Sequence, residues 1–189
     1  MTESTTVLTA RLWRWKLFGG VIVALGIVAD LWTKNLMQGL LEMSVDQPHG
    51  NDRKIDVIDG FFRFAGNWNS GVTFGMAAGL TQLILYFTVV ACVGISAWLL
   101  LTRNRSRVLH VALSLILAGA IGNLYDRVKF RMVRDFIVVY WKDPSIWQWP
   151  AFNVADSMIV VGVCSILWLE LFGRKGEARK GESAAGVRP

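Results

Sequence analysis

Four long apolar runs, separated by polar and charged segments, dominate the pattern along this chain of 189 residues. They cover about residues 17–33, 81–101, 108–124 and 152–172. An α-helix needs about 20 apolar residues to cross the hydrocarbon core of a bilayer. The pattern therefore predicts a membrane protein of the all-α class, a bundle of four transmembrane helices formed by a single domain of residues 1–172.

Two outer segments, about residues 38–79 and 128–150, separate the predicted helices. In the first, residues 46–54 predict a polar loop, and β-rich runs then lie on either side of Asp59 and Gly60, a dipeptide typical of tight hairpin turns. Open sheet edges are excluded from hydrocarbon, so we expect a small extracytoplasmic β-element on the outer membrane surface. Phe61, Phe62 and Trp68 would then lie at headgroup depth, and residues 137–141 predict a further strand.

The first apolar run could also be a cleaved signal peptide, because Arg11, Arg14 and Lys16 resemble its basic leading region. However, no small-x-small cleavage site follows, and the run continues to Asp30. We favour a retained helix.

Basic residues predict the orientation, since cytoplasmic loops are enriched in Lys and Arg. Three basic clusters belong on one side: the N-terminal one named above, one in the loop between the second and third helices, and one in the tail. The loop cluster consists of Arg103, Arg105 and Arg107, and the tail cluster of Arg174, Lys175, Arg179 and Lys180. Both termini are therefore expected in the cytoplasm, with residues 173–189 forming a disordered tail. The second outer segment is also rich in basic residues although it is expected to face outward, which conflicts with this rule. Its basic residues would need structural partners or lipid headgroups.

Composition narrows the function classes. The chain is 53% hydrophobic with a net charge of +6, but its basic residues flank apolar runs instead of forming a nucleic-acid-binding face. Cys92 and Cys164 lie inside apolar runs and predict no disulfide. His49 and His110 have no ligand-like neighbours, so neither a metal nor a cofactor is predicted.

Two aspartates carry the candidate chemistry. Asp156 opens the fourth apolar run, and Asp135 interrupts the apolar residues 133–141. An ionised carboxylate at membrane depth costs about 2.5–3.5 kcal/mol on the insertion scale, which suggests that both are used. A pair of carboxyl groups can share one proton and hold one water, which is the chemistry of peptide hydrolysis.

Polar residues flank both aspartates. Gly119, Asn123 and Arg127 share one helical face, which fits either close helix packing or a polar stripe facing a site. Asn153 shares a face with Asp156, and it could equally cap the fourth helix. Helices three and four are expected to bring one carboxyl each to a shared wet pocket under the outer headgroups.

Other polar features have simpler explanations. Asp30 and Lys34, spaced i and i+4, predict an interfacial ion pair. Asn69 lies in a turn-rich segment before the second helix. A Ser–Lys pair of Ser157 and Lys34 is formally possible without further support.

Taken together, these segments resemble bacterial lipoprotein signal peptidase (signal peptidase II) over about residues 18–172. The matching stretches occur in the family's order: Asp30-Leu-Trp-Thr-Lys34, Asn69-Ser-Gly-Val-Thr-Phe74, Gly119-Ala-Ile-Gly-Asn-Leu-Tyr-Asp-Arg127, Val133-Arg-Asp-Phe136 and Phe152-Asn-Val-Ala-Asp-Ser157. Leu31, Val72, Thr73 and Ala118 depart from the usual pattern.

The resemblance implies an aspartic endopeptidase of the bacterial inner membrane whose active site faces outward. It would cut diacylglyceryl-modified prolipoproteins before the lipidated cysteine. Asp135 and Asp156 would be catalytic, supported by Asn69, Gly119, Asn123, Arg127 and Asn153, while Asp30 and Lys34 would be structural. It also implies inhibition by globomycin-type peptides, and four helices enclosing one site predict a monomer.

A small transporter and an outer-leaflet scaffold protein are the rival classes. A transporter would place acids near the midplane, whereas these gather at the outer end. A scaffold protein would tolerate the replacement of both Asp135 and Asp156 by Asn.

In the protease hypothesis the two aspartates have different roles. Asp156, at a helix start, takes a proton from water, and protonated Asp135 polarises the scissile carbonyl.

Overall fold

The computed structural model describes residues 3–46, 53–71, 78–102 and 106–173. Its elements in chain order are α1 (Glu3–Leu40), β1 (Lys54–Ile58), β2 (Phe62–Asn69), α2 (Ala78–Leu101), α3 (Arg107–Phe130), β3 (Val133–Val139) and α4 (Val154–Trp168), which continues as the π-helical turn Leu169–Gly173. Several sequence predictions lie outside the described residues: the polar loop at residues 47–52, Val72 and Thr73, Arg103 and Arg105, and the disordered tail from residue 174 onward.

Within the described residues, four helices are long and apolar enough to cross a membrane: Trp13–Leu40, Gln82–Leu101, Arg107–Phe130 and Val154–Phe172. The predicted architecture of four transmembrane helices with a small β-element is confirmed. The outer surfaces of α1, α2 and α4 carry exposed apolar side chains such as Leu25, Phe87 and Val160, as expected where helices face lipid. Both α1 and α3 extend beyond their apolar runs into polar sequence.

Helix α3 is the central helix, because it packs against α1, α2 and α4. Its buried positions are mainly small or polar, which allows close approach of neighbouring backbones and places polar groups inside the bundle. Gly119 and Gly122 are the clearest cases. A Cβ on Gly119 would collide with the carbonyl oxygen of Ala155 in α4, and one on Gly122 would collide with the carboxylate of Asp30 in α1.

The three strands form one antiparallel sheet in the order β1-β2-β3. The predicted hairpin about Asp59 and Gly60 is present, and Gly60 has a positive φ of 71°, which its missing side chain makes easy. The third strand runs through Val133–Val139 and so begins earlier than the predicted residues 137–141. Pairing of β2 with β3 continues to Asn69↔Val133, which brings Asp135 into the sheet opposite Asn67.

The apolar core of the sheet region lies between the sheet and the end of α1. Leu41, Met43, Trp68 and Phe136 form it. Trp68 is only 3% exposed and packs edge-on against Phe130 of α3 with ring centroids 5.2 Å apart. Trp68 thus packs inside the protein, because its face of β2 points toward the helices, and its headgroup depth stays a prediction. Phe61, by contrast, is exposed.

Candidate active site

Asp135 lies on strand β3 and is 1% exposed. The expectation that the third helix would carry this carboxyl is wrong. Helix α3 ends at Phe130, and Arg131 then adopts a left-handed conformation with φ 64°, which turns the chain away from the helix axis. The strand that follows returns Asp135 to the end of the bundle where α4 begins.

Asp156 lies in the first turn of α4, three residues after the N-cap residue Asn153. The two residues form a reciprocal capping box. The Asn153 side-chain oxygen accepts a hydrogen bond from the Asp156 backbone N–H at 3.0 Å, and the Asp156 Oδ2 accepts from the Asn153 N–H at 3.1 Å. The predicted capping role of Asn153 is thus confirmed, and the helix end fixes the Asp156 carboxyl.

Asn153 also holds the other carboxyl. Its side-chain Nδ2 donates to Asp135 Oδ1 at 2.7 Å and to Asn123 Oδ1 at 3.1 Å. One residue therefore contacts both Asp135 and Asp156, so the two carboxyl groups converge on the same point.

Two further asparagines hold the remaining oxygens. Asn69 Nδ2, at the end of β2, donates to Asp135 Oδ2 at 2.9 Å. Asn123 Nδ2, on α3, donates to Asp156 Oδ1 at 2.7 Å. Every oxygen of the two carboxyl groups thus accepts a hydrogen bond from an amide N–H, and four elements of the fold supply the residues of this arrangement.

Burial raises the pKa of Asp135 from its ordinary 3.8 to about 7. The hydrogen bond from Asn69 opposes this shift, and the nearby charge of Asp156 adds to it. Weaker opposing contributions come from Asn153 and from the positive charge of Lys34. A carboxyl group with such a pKa can hold or release a proton near neutral pH.

Arg127 lies beside this arrangement without joining it. It is close enough to Asp156 and Asp135 for electrostatic interaction, yet among the described residues it forms no salt bridge with either. Its buried Nε has no hydrogen-bond partner in that part of the chain, and its Nη2 lies against Gly71 just after β2.

Asp30 and Lys34 are fully buried, and the predicted ion pair between them is confirmed. Lys34 Nζ lies 2.8 Å from Asp30 Oδ2 and donates to Asn123 Oδ1 at 2.9 Å. Asp30 Oδ1 accepts from the backbone N–H of Ala155 at 2.9 Å. The pair therefore joins α1 to both α3 and the start of α4. Through Lys34 it contacts Asn123, one of the residues that hold Asp156.

Asp126 and Arg134 are site neighbours that sequence reasoning did not single out. Arg134 donates through Nη2 to Asp126 Oδ1 at 2.7 Å and through Nε to Oδ2 at 3.2 Å, and both residues are buried. Arg134 Nη1 also donates to Asn35 and Gln38 of α1. Asp126 follows Asn123 by three residues, which places both on one face of the helix, and this spacing could have pointed to Asp126 as a neighbour of the site. Arg134 is thus one basic residue of the second outer segment with a structural partner.

Alternative chemistries find little support in the geometry. Within the part of the chain that the structure describes, no group of three or more His, Cys, Asp and Glu side chains could hold a metal ion. Ser157 Oγ donates to the backbone oxygen of Asn153 at 3.0 Å, while Lys34 bonds Asp30 and Asn123, so a Ser–Lys pair gains nothing from the structure.

Comparison with known proteins identifies the family of this chain. A family model described as "Signal peptidase (SPase) II" matches residues 22–172. Lipoprotein signal peptidase of Solibacter usitatus is 36% identical over 170 residues, which cover 87% of this chain and 95% of that protein. The Clostridium novyi protein of the same name is 34% identical over 142 residues, covering 75% of this chain and 89% of that protein. A solved structure described as a bacterial membrane enzyme determined by the in meso method at 1.9 Å resolution superposes with a TM-score of 0.68 at 25% identity, covering 82% of this chain and 93% of that one.

Proposed function

The chain belongs to the signal peptidase II family, whose function is the removal of signal peptides from prolipoproteins, and we propose that it does so as an aspartic endopeptidase. Asp135 and Asp156 are the catalytic pair in this proposal. Membership of this family replaces the transporter and scaffold alternatives.

One observation carries the proposal: Asn153 bonds both carboxyl groups, through its side chain to Asp135 and through its backbone N–H to Asp156. Two carboxyl groups that converge on one residue can hold a single water and share a single proton. Their partners are neutral amides, so no cation fixes both groups in the charged form.

The reaction proceeds by general acid–base catalysis. Asp156 accepts a proton as the water oxygen attacks the scissile carbonyl carbon, and its place in the first turn of α4 stabilises the negative form. Asp135, protonated near neutral pH, donates a hydrogen bond to the carbonyl oxygen as negative charge develops there. When the C–N bond breaks, the proton that Asp156 took from water passes to the leaving nitrogen, so Asp156 is again ionised and Asp135 has kept its proton. Such catalysis contributes about 10²–10⁴ in rate.

The surrounding residues orient the pair. Asn69, Asn123 and Asn153 fix the carboxyl oxygens, and Gly119 lets α4 approach α3 closely enough for these bonds. Lys34 holds the Asn123 amide so that its N–H points to Asp156. Arg127, which has donors to spare, contacts the substrate backbone or a developing charge.

The substrate is a prolipoprotein whose cysteine already carries diacylglyceryl, cut immediately before that cysteine. The carboxyl pair lies where α4 begins and the sheet packs on the bundle, so acyl chains can stay in the bilayer while the peptide reaches water. Both termini are cytoplasmic, the site faces outward from the inner membrane, and residues 1–172 form the protease domain. The enzyme acts as a monomer, because one chain supplies both carboxyl groups and their amide partners. Globomycin-type peptides occupy the same site.

The decisive experiment measures cleavage of a lipidated prolipoprotein by purified protein, using a gel shift. Asp135→Asn and Asp156→Asn should each lower the rate about 100-fold or more, because each removes a proton-transfer group while preserving shape. Asp59→Asn is the matched control: Asp59 is exposed in the hairpin turn, and Asn-Gly suits that turn equally well.

The control should keep its rate within about twofold, since surface substitutions of this kind are usually nearly neutral. If Asp135→Asn or Asp156→Asn inserts normally and cleaves at a near-normal rate, the proposed pair is wrong. A globomycin-type peptide should stop cleavage by the control and the unaltered protein alike.

A further inference from the structure

A second feature lies at the opposite end of the bundle from the carboxyl pair. A cavity of about 250 Å³ opens between α1, α2 and α3, and its lining is mainly apolar, with Gly19, Gly20, Val23, Leu99 and Leu117 among its residues. Engineered apolar cavities of about 150 Å³ stay dry and bind small hydrocarbons. This cavity is larger, and it lies in a segment that crosses the membrane, so lipid chains are the apolar groups at hand.

Two cations lie at one end of this cavity. Lys16 belongs to its lining and donates to the carbonyl oxygen of Leu100 near the end of α2. Arg107, the first residue of α3, stacks on the ring of Trp15 at 5.0 Å, and Trp15 also lines the cavity. Among the described residues, neither cation forms a salt bridge with an acidic side chain.

Tryptophans mark the depth of these cations. Trp13 is 63% exposed, and Lys16 lies 5.5 Å from its ring centroid. Such residues favour the boundary between headgroups and hydrocarbon. From Trp15 to Val23 the α1 axis rises about 12 Å, at 1.5 Å per residue. The cavity therefore extends from headgroup level into the hydrocarbon, with its positive charge at the headgroup end.

We propose that this cavity binds one anionic phospholipid, with its phosphate between Lys16 and Arg107 and part of an acyl chain against Gly19, Gly20 and Val23 of α1. Charge complementarity selects an anionic headgroup, since unpaired basic residues between membrane helices attract such lipids. The apolar lining selects a chain-bearing molecule over a free phosphate. The site is independent of the proposed reaction, and its expected role is to stabilise the contact of α1 with α2.

Native mass spectrometry of the full chain tests this, with phosphatidylglycerol and phosphatidylcholine of identical chains as probes. The unaltered protein should retain phosphatidylglycerol roughly tenfold better. The double variant Lys16→Gln/Arg107→Gln should retain the two lipids equally. sn-Glycerol 3-phosphate, which has no acyl chain, should not displace the bound lipid.

A second variant keeps every charge and so leaves the topology signal intact. A Cβ on Gly20 would meet no atom within 4 Å, and Gly20 lines the cavity, so Gly20→Leu should fold and occupy part of the space that the acyl chain needs. It should lose the retained phosphatidylglycerol. Gly94→Leu is the matched control, because Gly94 is exposed on α2, equally free of contacts and outside the cavity lining.

Added phosphatidylglycerol should also raise the melting temperature of the unaltered protein and of Gly94→Leu, but not of Gly20→Leu. Equal retention of both lipids by the unaltered protein would overturn the charge selection. Unchanged retention in Gly20→Leu, or displacement by sn-glycerol 3-phosphate, would overturn the placement of the lipid in this cavity.

Discussion

Two neighbouring groups of aspartates at one end of the bundle have opposite surroundings. The ion cluster consists of Asp30 and Asp126 with Lys34 and Arg134, all fully buried or nearly so, and its two negative and two positive charges balance. The carboxyl pair, Asp135 and Asp156, accepts hydrogen bonds from amides instead. Among the described residues, no Lys or Arg forms a salt bridge with either member of the pair.

Under the proposed mechanism, this difference separates the acids that hold the structure from the acids that transfer protons. A buried carboxylate paired with a cation depends on that cation, because removing either partner leaves the other charge buried and unpaired. A carboxyl group held by neutral amides can exist in either form, as required of a group that transfers protons. Asn123 and Lys34 connect the two groups, so the ion cluster also serves as a rigid support for the pair.

The largest effect on stability should come from breaking the ion cluster at Arg134. Arg134→Met leaves Asp126 buried without its bidentate partner, which should lower the free energy of unfolding by about 3–5 kcal/mol. Thermal unfolding in detergent measures this. Arg131→Met, an exposed position three residues earlier, should change stability little, and an equally small loss in Arg134→Met would contradict a structural role for the cluster.

Charge balance in the cluster can be tested separately at Lys34. Lys34→Met should destabilise by about 3–5 kcal/mol, because Asp30 then lacks its cation and Asp126 keeps only Arg134. Adding Asp30→Asn restores the balance, so the double variant should regain about 1–3 kcal/mol. Additive losses in the two single variants and the double variant would show that the charges are uncoupled.

For the carboxyl pair, the prediction concerns pH instead. The pKa of Asp135 is about 7 in the folded protein against 3.8 ordinarily, so between these values the folded state holds a proton that the unfolded state has released. Stability should therefore fall as pH rises from about 4 to about 7, by an amount on the order of a few kcal/mol. Asp135→Asn should remove this fall. Melting curves at several pH values provide the check, and an unchanged pH dependence in the variant would count against the raised pKa.

The smallest effect should be a shift in the pH–rate profile. The hydrogen bond from Asn69 lowers the pKa of Asp135, so Asn69→Ala should move the alkaline limb of kcat/KM to higher pH, by a fraction of a unit. Asn35→Ala makes the same substitution in a partner of Arg134, and it should cost stability without moving the limb. A shift toward lower pH in Asn69→Ala would contradict the assignment of Asp135 as the acid.

Local physics made part of this molecule predictable from sequence. The apolar runs gave four helices, the Asp59-Gly60 turn gave the hairpin, and the capping rule gave Asn153, because each depends on residues near one another in the chain. The positions of Asp135 and Asp156 in apolar sequence singled them out among the acids, and the resemblance to a known family supported that choice.

Contacts between distant segments were not predictable in this way. Arg134 meets Asn35 and Gln38 across almost a hundred positions, and Lys34 reaches Asn123 from another helix. The burial of Trp68 likewise depends on how the sheet packs on the helices. No pattern within a single segment encodes these distances, so the ion cluster and its link to the carboxyl pair became visible only in the fold.

The most direct test of the central claim is an infrared titration of the protonated carboxyl groups of the purified enzyme. We expect a carboxyl signal that disappears with a midpoint near pH 7, is absent from Asp135→Asn and is unchanged in Asp59→Asn, in line with the pKa of about 7 for Asp135. If Asp135 instead loses its proton near pH 4, as an ordinary carboxyl does, it cannot be the proton donor at neutral pH, and the division between structural and chemical acids fails.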